Sequence, residues 1–429
     1  MNFYGWSDYL VDNFLKTKMD KWTLQITFSI AIFLFSSSNN LILGQNLPND
    51  SLIVADVTQQ KDVTDYYRML FAKKSVAEHD SAKKKSIGPF YTPLPYPGYS
   101  LVTGGMIGAI NSLSFYTHYG DGAKMSNISV ENMYTQNKQL LNIVRSNIWL
   151  NHEKYNLLGD WRYYQYPNIT YGLGSKTLLS DVSKVDYSLL RVYEVVMRQV
   201  NKNVCVGLGY SLDYHWNIAE TNNPEIVNTD FDKYGYSNTS VSSGITLNFQ
   251  FDNRLNSNNP AKGVYANLQI RDNLTVLKSD NNWQSATLDF RYYIPISKRT
   301  GNRIALWSYN VVILGGIPPY FDLPSTGWDT NDNTGRGYIE GRFRGRNALY
   351  FEAEYRFTIT KNGFLGGVLF SNFSSFSEPI SNKFEKINPS YGLGLRIKVN
   401  KFSNTNLCID YGFGAGGSRG FAFGLNENF

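Results

Sequence analysis

Across residues 349–357 the chain alternates strictly, with Leu349, Phe351, Ala353, Tyr355 and Phe357 on one set of positions and Tyr350, Glu352, Glu354 and Arg356 on the other. A period of two describes a strand with one apolar and one polar face. The rhythm is as clear in 204–216, where Val204, Val206, Leu208, Tyr210, Leu212, Tyr214 and Trp216 interleave with Cys205, Gly207, Gly209, Ser211, Asp213 and His215. It returns in 245–251, 264–270, 286–294, 391–399, 407–411 and 421–429, and less cleanly in 101–115, 125–135, 140–150, 154–166, 186–199, 302–313 and 363–373. These segments number about 15, and a closed antiparallel barrel of the bacterial outer membrane takes an even count, so about 16 strands are expected, the missing one before residue 180. Short connections such as 361–363 and 403–405 fit a periplasmic side, and long polar ones at 167–185, 217–238 and 314–346 fit the exterior.

In a soluble sandwich the apolar faces would meet one another, and in a membrane barrel they meet lipid. Composition favours the barrel. A mean hydropathy of −0.32 is too polar for a bundle of membrane helices, whereas 31 Tyr, 26 Phe and 36 Gly suit aromatic girdles and close strand packing. The expected fold class is therefore all-β, a transmembrane antiparallel barrel. The net charge of +6 is scattered, with no basic and aromatic groove for nucleic acid. Cys205 and Cys408 stand far apart with no metal-ligand spacing, so neither a disulfide framework nor a zinc site is expected, and no cofactor.

The one strongly apolar run, 22–35, follows Lys16, Lys18 and Lys21 and reads as a signal peptide over 19–44; Met19 is then the start, and 1–18 a mis-started extension. Residues 45–95 read as a polar periplasmic tail or a plug segment, with one short helix in which Thr64 is the cap and Val63, Tyr66, Tyr67 and Leu70 share a side. Pro93, Pro95 and Pro97 mark a stiff entry into the barrel, expected over 96–429.

Enzyme chemistry finds little support. The histidines are His79, His118, His152 and His215, and neither a His-Glu-x-x-His nor a Gly-x-Ser-x-Gly motif is present. His215, Asp213 and Ser211 share a strand face, but same-face neighbours stand about 7 Å apart, too far for a nucleophile and its base. Asp329 and Asp332 lack the calcium-loop pattern and read as a solvated outer loop. No metal or catalytic residue is expected.

The remaining motifs converge. Gly335-Arg336-Gly337-Tyr338 lies in a long loop; Asp252-Asn-Arg254 is followed by Pro260 and Lys262-Gly263; Gly392-Leu-Gly394-Leu-Arg396 and Asp410-Tyr-Gly412 occupy late strands. In order and placement these resemble the surface-antigen barrels of the BamA/TamA family. The resemblance implies an outer-membrane location and a loop folded back into the lumen with Arg336 at its tip. The wall it meets is expected to include Phe370, Asn372, Glu352, Glu354, Asp410, Gly392, Gly394 and Arg396. Asn372 stands where the family carries an arginine-binding acid, so Asn372 is expected to offer the guanidinium a neutral oxygen, with a further acid from Glu352, Glu354 or Asp410. Phe421, Phe423 and Phe429 resemble the C-terminal assembly signal of such barrels, with Phe429 expected on the same face as the other two.

By the same resemblance the function is insertion or translocation of proteins or lipids through a weak seam between first and last strands. The glycines at 104, 105, 416, 417, 420 and 424 leave both seam edges poor in contacts. Residues 45–95 are too short for the family's periplasmic POTRA domain, so a periplasmic partner is expected to supply it, with outer-membrane lipids and client outer-membrane proteins as further partners. The alternatives are a passive pore or structural barrel and, last, a lipid hydrolase.

Overall fold

The structure, a computed structural model, describes residues 60–71, 89–100, 103–118, 123–221, 229–235, 237–254, 256–297, 301–330 and 332–429. All fall in one compact unit, Pro48–Phe429. The leader expected at 19–44 and the extension at 1–18 lie outside the described residues.

Sixteen strands form one sheet in simple sequence order, each antiparallel to the next. They are β1 Phe90–Ser100, β2 Gly104–Phe115, β3 Ser126–Thr135, β4 Leu140–Leu150, β5 Tyr155–Thr170, β6 Ser183–Asn201, β7 Val204–Glu220, β8 Thr239–Asp252, β9 Gly263–Asn273, β10 Trp283–Pro295, β11 Arg303–Gly316, β12 Ala348–Thr358, β13 Leu365–Phe376, β14 Asn388–Asn400, β15 Thr405–Gly414 and β16 Arg419–Leu425. β1 and β16 come together to make a nearly closed barrel, yet no ladder joins them among the described residues.

The period-two pattern sorts the side chains as barrel physics requires. Phe351 (49% exposed) and Leu393 (57%) stand on the outer surface with Leu349, Tyr355 and Leu395, while Glu352, Glu354 and Arg396 are buried within. Only a lipid environment accommodates such an outer face. Two boundaries differ from the sequence expectation. The sixteenth strand is the proline-rich stretch itself, so the barrel starts at Phe90 and not at 96. β16 stops at Leu425, because Asn426 takes a left-handed φ of 73° that turns the chain out of the strand.

Ahead of β1, helix α1 (Val63–Phe71) is capped by Asp62 and not by Thr64. Asp62 Oδ1 accepts from the Asp65 N–H at 3.0 Å, and Asp65 Oδ2 accepts from the Asp62 N–H at 3.0 Å, a reciprocal capping box. Both acids also hold the β14–β15 turn, since Lys401 Nζ lies 3.0 Å from Asp65 and its backbone N–H donates to Asp62 Oδ2 at 3.1 Å. Tyr66 packs on Phe364 of the β12–β13 turn at 4.3 Å. The helix thus docks on the turns at one barrel end, with Val63 and Tyr67 exposed.

The three longest exterior connections fold over the lumen. Helix α2 (Asp230–Gly235), the 320–323 segment and the inner faces of β5, β6 and β7 share an aromatic cluster that includes Tyr166, Tyr187, Phe231, Tyr320 and Phe321. Below it a cavity of about 1550 Å³ is lined by polar groups such as Asn248, Gln269 and Arg291 and by Asn203, Asn253 and Asn256 of the β6–β7 and β8–β9 connections.

This arrangement predicts a water-accessible lumen beside a lipid-facing wall. Cysteine at position 267, whose Asn lines the cavity, should react with a membrane-impermeant thiol reagent in proteoliposomes, whereas cysteine at the outward Leu268 should stay unlabelled.

Candidate functional site

The connection between β11 and β12 runs inward. It is a small hairpin of its own: the Thr326 N–H donates to Phe343 O and the Gly341 N–H to Thr326 O, both at 2.9 Å. Its tip is made possible by Gly335 and Gly337, with φ of 80° and 100°, values that side chains resist. The tip lies against β15. A Cβ at Gly412 would come within 2.6 Å of the Gly337 N–H, and one at Gly414 within 2.6 Å of the Tyr338 ring. Gly392 and Gly394, expected in the wall that the loop meets, act one step away. A side chain at Gly392 would strike the Phe370 ring at 2.3 Å, and one at Gly394 would collide with the Asp410 carboxylate.

What the tip delivers is a guanidinium. Arg336, 5% exposed, ion-pairs with Glu352, Glu354 and Asp410 and lies over the Phe370 ring at 3.8 Å. Asn428, with its amide oxygen turned toward the ion, accepts from Arg336 Nε at 2.6 Å. Asn372 serves differently from the expectation. Its Nδ2 donates to the Arg336 carbonyl at 3.1 Å and to Glu352 at 3.4 Å, so it gives a hydrogen to the loop backbone instead of an oxygen to the guanidinium. Ser390 Oγ donates to the same carbonyl. Tyr338 donates to Pro389 O at 2.6 Å and accepts from the Ala415 N–H at 2.9 Å.

The acids are shared. Arg356 Nε lies 2.5 Å from Glu354 and 3.8 Å from Glu427; Arg396 reaches Asp410 at 2.5 Å and Glu427 at 2.8 Å. Cations and carboxylates therefore alternate across the inner wall, which is how buried ions avoid the full cost of desolvation. Glu427 was not anticipated, nor was the path of the chain terminus. After Asn426 the tail enters the lumen, where Phe429 is 2% exposed and stacks on Trp307 at 5.1 Å with Arg356 4.9 Å from its ring. Phe429 is thus separated from the outer face on which Phe421 stands. The overlooked signal is Glu427: had the strand run on, its carboxylate would have shared the lipid face.

Other candidates find different partners. Asp213 is held by Arg191 at 2.7 Å, Arg271 at 2.7 Å and Tyr193 at 2.6 Å. His215 is sealed under Phe321 with Ser240 3.4 Å from Nδ1, so the Ser211, Asp213 and His215 grouping forms no hydrogen-bonded relay. The loop carries Asp329 and Asp332 inward to the lumen, where Asp329 is buried and Asp332 stays exposed at the cavity. Asp329 accepts from the Thr334 N–H at 2.7 Å, and Asp332 meets Arg162 at 2.7 Å and Arg145 at 3.0 Å.

A membrane barrel whose lumen is occupied by an arginine-tipped loop, with its first and last strands left unzipped, defines a class of outer-membrane protein. The Omp85 superfamily domain model matches residues 108–429, and the chain belongs to that superfamily, which places it in the outer membrane. Among solved structures it is similar to CdiB from Acinetobacter baumannii, at 13% identity and a TM-score of 0.51 over 79% of this chain and 59% of that one. CdiB from Escherichia coli matches at 8% identity and a TM-score of 0.50, covering 79% and 60%. BamA from Haemophilus ducreyi lacking POTRA domains 1-3 matches at 14% identity and 0.49, covering 78% and 70%. The chain thus spans 59% and 60% of the CdiB chains it matches. No curated protein matches it by sequence.

Arg336→Ala should lower barrel stability by about 3–5 kcal/mol, since it strands carboxylates inside the wall. Arg342 and Arg344 donate to uncharged oxygens, Thr177 O at 2.7 Å and Tyr320 O at 3.0 Å respectively, so their alanine variants should lose about 1–3 kcal/mol. Denaturant midpoints of the refolded barrels would rank them, and equal losses would remove the special standing of Arg336. A second outcome concerns pH. Burial pushes the loop acid Glu340 up to about 7, although Tyr166 donates to it at 2.6 Å. An acid whose folded pKa is raised costs nothing while both states are protonated, and destabilises the fold as pH climbs from the ordinary 4.5 toward 7. The melting temperature of the native chain relative to Glu340→Gln should therefore fall across that window and level off above it.

Proposed function

We propose that this barrel assists the insertion or translocation of proteins or lipids at the outer membrane, acting through the seam between β1 and β16. The observation that carries the reading is the missing ladder between those strands beside a wet cavity. Every residue of β16 from Arg419 to Leu425 borders that cavity, on both faces of the strand, as befits a free edge. Within hydrocarbon, unpaired backbone groups cost several kcal/mol each, so a seam left open is a place where another backbone gains by entering. The arginine-locked loop and the aromatic cluster above it support the reading further, because they occupy the lumen of a barrel that a passive pore would leave clear. The role is one of guiding chains, and no side chain is assigned a chemical step.

A periplasmic partner in trans would supply what POTRA domains provide in relatives, and the α1 end of the barrel is its natural approach. Phe421, Phe423 and Phe429 are our candidates for the handle by which the unfolded chain is passed to the assembly machinery, a role exercised before Phe429 is buried.

In liposomes of outer-membrane lipid, the purified barrel should accelerate the folding of a urea-denatured test barrel, and Arg336→Ala should abolish the acceleration. Ion conductance with no acceleration would establish a passive pore, and release of fatty acid a hydrolase.

A further inference from the structure

Helix α1 is docked by its polar side. Asp62 and Asp65, 2% and 1% exposed, hold Lys401 of the β14–β15 turn, and the Tyr66 hydroxyl accepts from Asn362 Nδ2 of the β12–β13 turn at 3.0 Å. A surface helix ordinarily buries its apolar stripe and turns its charges to water. α1 does the reverse. Val63 and Tyr67, one turn apart on the same side, are 41% and 64% exposed, and Met69 near the helix end is 57% exposed, as much as the lipid-facing Leu393.

The turns that carry the helix are apolar on the outside as well. Ile359, which follows Tyr355 and Phe357 on the outward positions of β12, is 54% exposed at the start of the β12–β13 turn. Phe402 is 45% exposed and stands beside Lys401, whose Nζ lies 5.5 Å from its ring. On the same hairpins Leu369, Leu393 and Leu395 face lipid. The apolar side of α1 thus sits next to the rim of the lipid-facing wall. Its charges fit that position. With both acids committed to Lys401, the remaining cations are Lys61, just ahead of the helix, and Arg68 in its last turn, and neither pairs with a carboxylate among the described residues. Exposed apolar side chains flanked by unpaired cations match the boundary between acyl chains and anionic headgroups. A soluble protein covering α1 would also have to cover Ile359 and Phe402 at the bilayer edge, a place that headgroups already occupy.

We propose that α1 is an in-plane foot of the barrel, with Val63, Tyr67 and Met69 seated in the headgroup layer on the side of the short turns and Lys61 and Arg68 on the phosphates of anionic phospholipid. The inference goes beyond the insertion reading and does not depend on it. Its consequence is local. α1 is tied to the turns that join β12 to β13 and β14 to β15, and β12 and β15 carry the Glu352, Glu354 and Asp410 carboxylates that hold Arg336. The foot therefore fixes the depth in the bilayer of the wall that locks the loop.

The test uses the full chain in vesicles of phosphatidylcholine with or without phosphatidylglycerol, with an environment-sensitive fluorophore on a cysteine at position 63 or 69; Cys205 and Cys408 are buried. Phospholipid brominated near the top of its acyl chains should quench either fluorophore at least about half as strongly as one placed at Leu393. Omitting phosphatidylglycerol, or reversing the charges with Lys61→Glu and Arg68→Glu, should cut that quenching about threefold. Quenching no greater than at Ile380, 99% exposed in the β13–β14 connection, would overturn the proposal. So would quenching that ignores both headgroup charge and the two substitutions. Fluorophores that remain in water beside lipid and become shielded only when a periplasmic extract is added would give the face to a protein and overturn it too. A second measurement, on the unlabelled chain, guards against disturbance of the helix by the label. Hydrogen exchange of the Tyr66 to Met69 amides should slow about tenfold when phosphatidylglycerol is present, and unchanged exchange would refute the foot.

Discussion

The burial of one guanidinium constrains most of this barrel. A charge deep in the wall must be matched, and Arg336 is matched by Glu352 and Glu354 on β12, Asp410 on β15 and the Asn428 amide of the tail. Those acids repel one another unless further cations intervene, so Arg356 and Arg396 sit between them. The backbone must also reach the wall, which explains why glycines cluster where loop and strand meet: Gly337 from the loop against Gly412 from β15. Loop position, strand composition and chain terminus are thus solutions to a single electrostatic problem.

The seam presents the complementary problem. β16 is short, glycine-bearing and paired on one side only, and by itself an edge of that kind would fray. Its anchorage comes from the residues that follow it. Glu427 is held between Arg356 and Arg396, Asn428 by the loop, and Phe429 among Tyr293, Trp307 and Tyr350. Stability withheld from the edge is concentrated in the tail, leaving the backbone of the edge free.

How far the sequence revealed this depends on which physics wrote it. Period-two alternation is imposed residue by residue by lipid and lumen, so the strands from β2 onward are visible in the chain. β1 is not, because proline speaks against a strand unless its register is known, and register is a property of the folded pair. The lock is legible in Glu352, Glu354, Asp410 and Arg396, since a lumenal arginine requires acids wherever they are, but not in Arg356 or Glu427, which only the fold brings to it. The chemistry of Asn372 is not legible in the sequence, for an amide has a donor and an acceptor end and only the neighbouring carbonyl decides which is used. Phe429 was misplaced because extending the period past Asn426 ignores a left-handed residue that the pattern of apolar positions does not encode.

Lock and seam share residues, and this determines which lip can move. Displacing β16 drags Glu427 from Arg356 and Arg396 and strains Asp410 on the adjoining strand, and each broken buried pair costs about 3–5 kcal/mol. β1 is tied inward by far less. Tyr96 lies in the gap left by Gly108 and donates to Glu131 at 2.6 Å, a charged hydrogen bond of about 1.5–3 kcal/mol, and Phe90 stacks on Phe402 at 6.1 Å. The cheaper motion swings β1 and keeps β16 fixed to the loop. β16 is therefore the better-anchored edge of the seam, held to the loop and the inner wall through the residues that follow it.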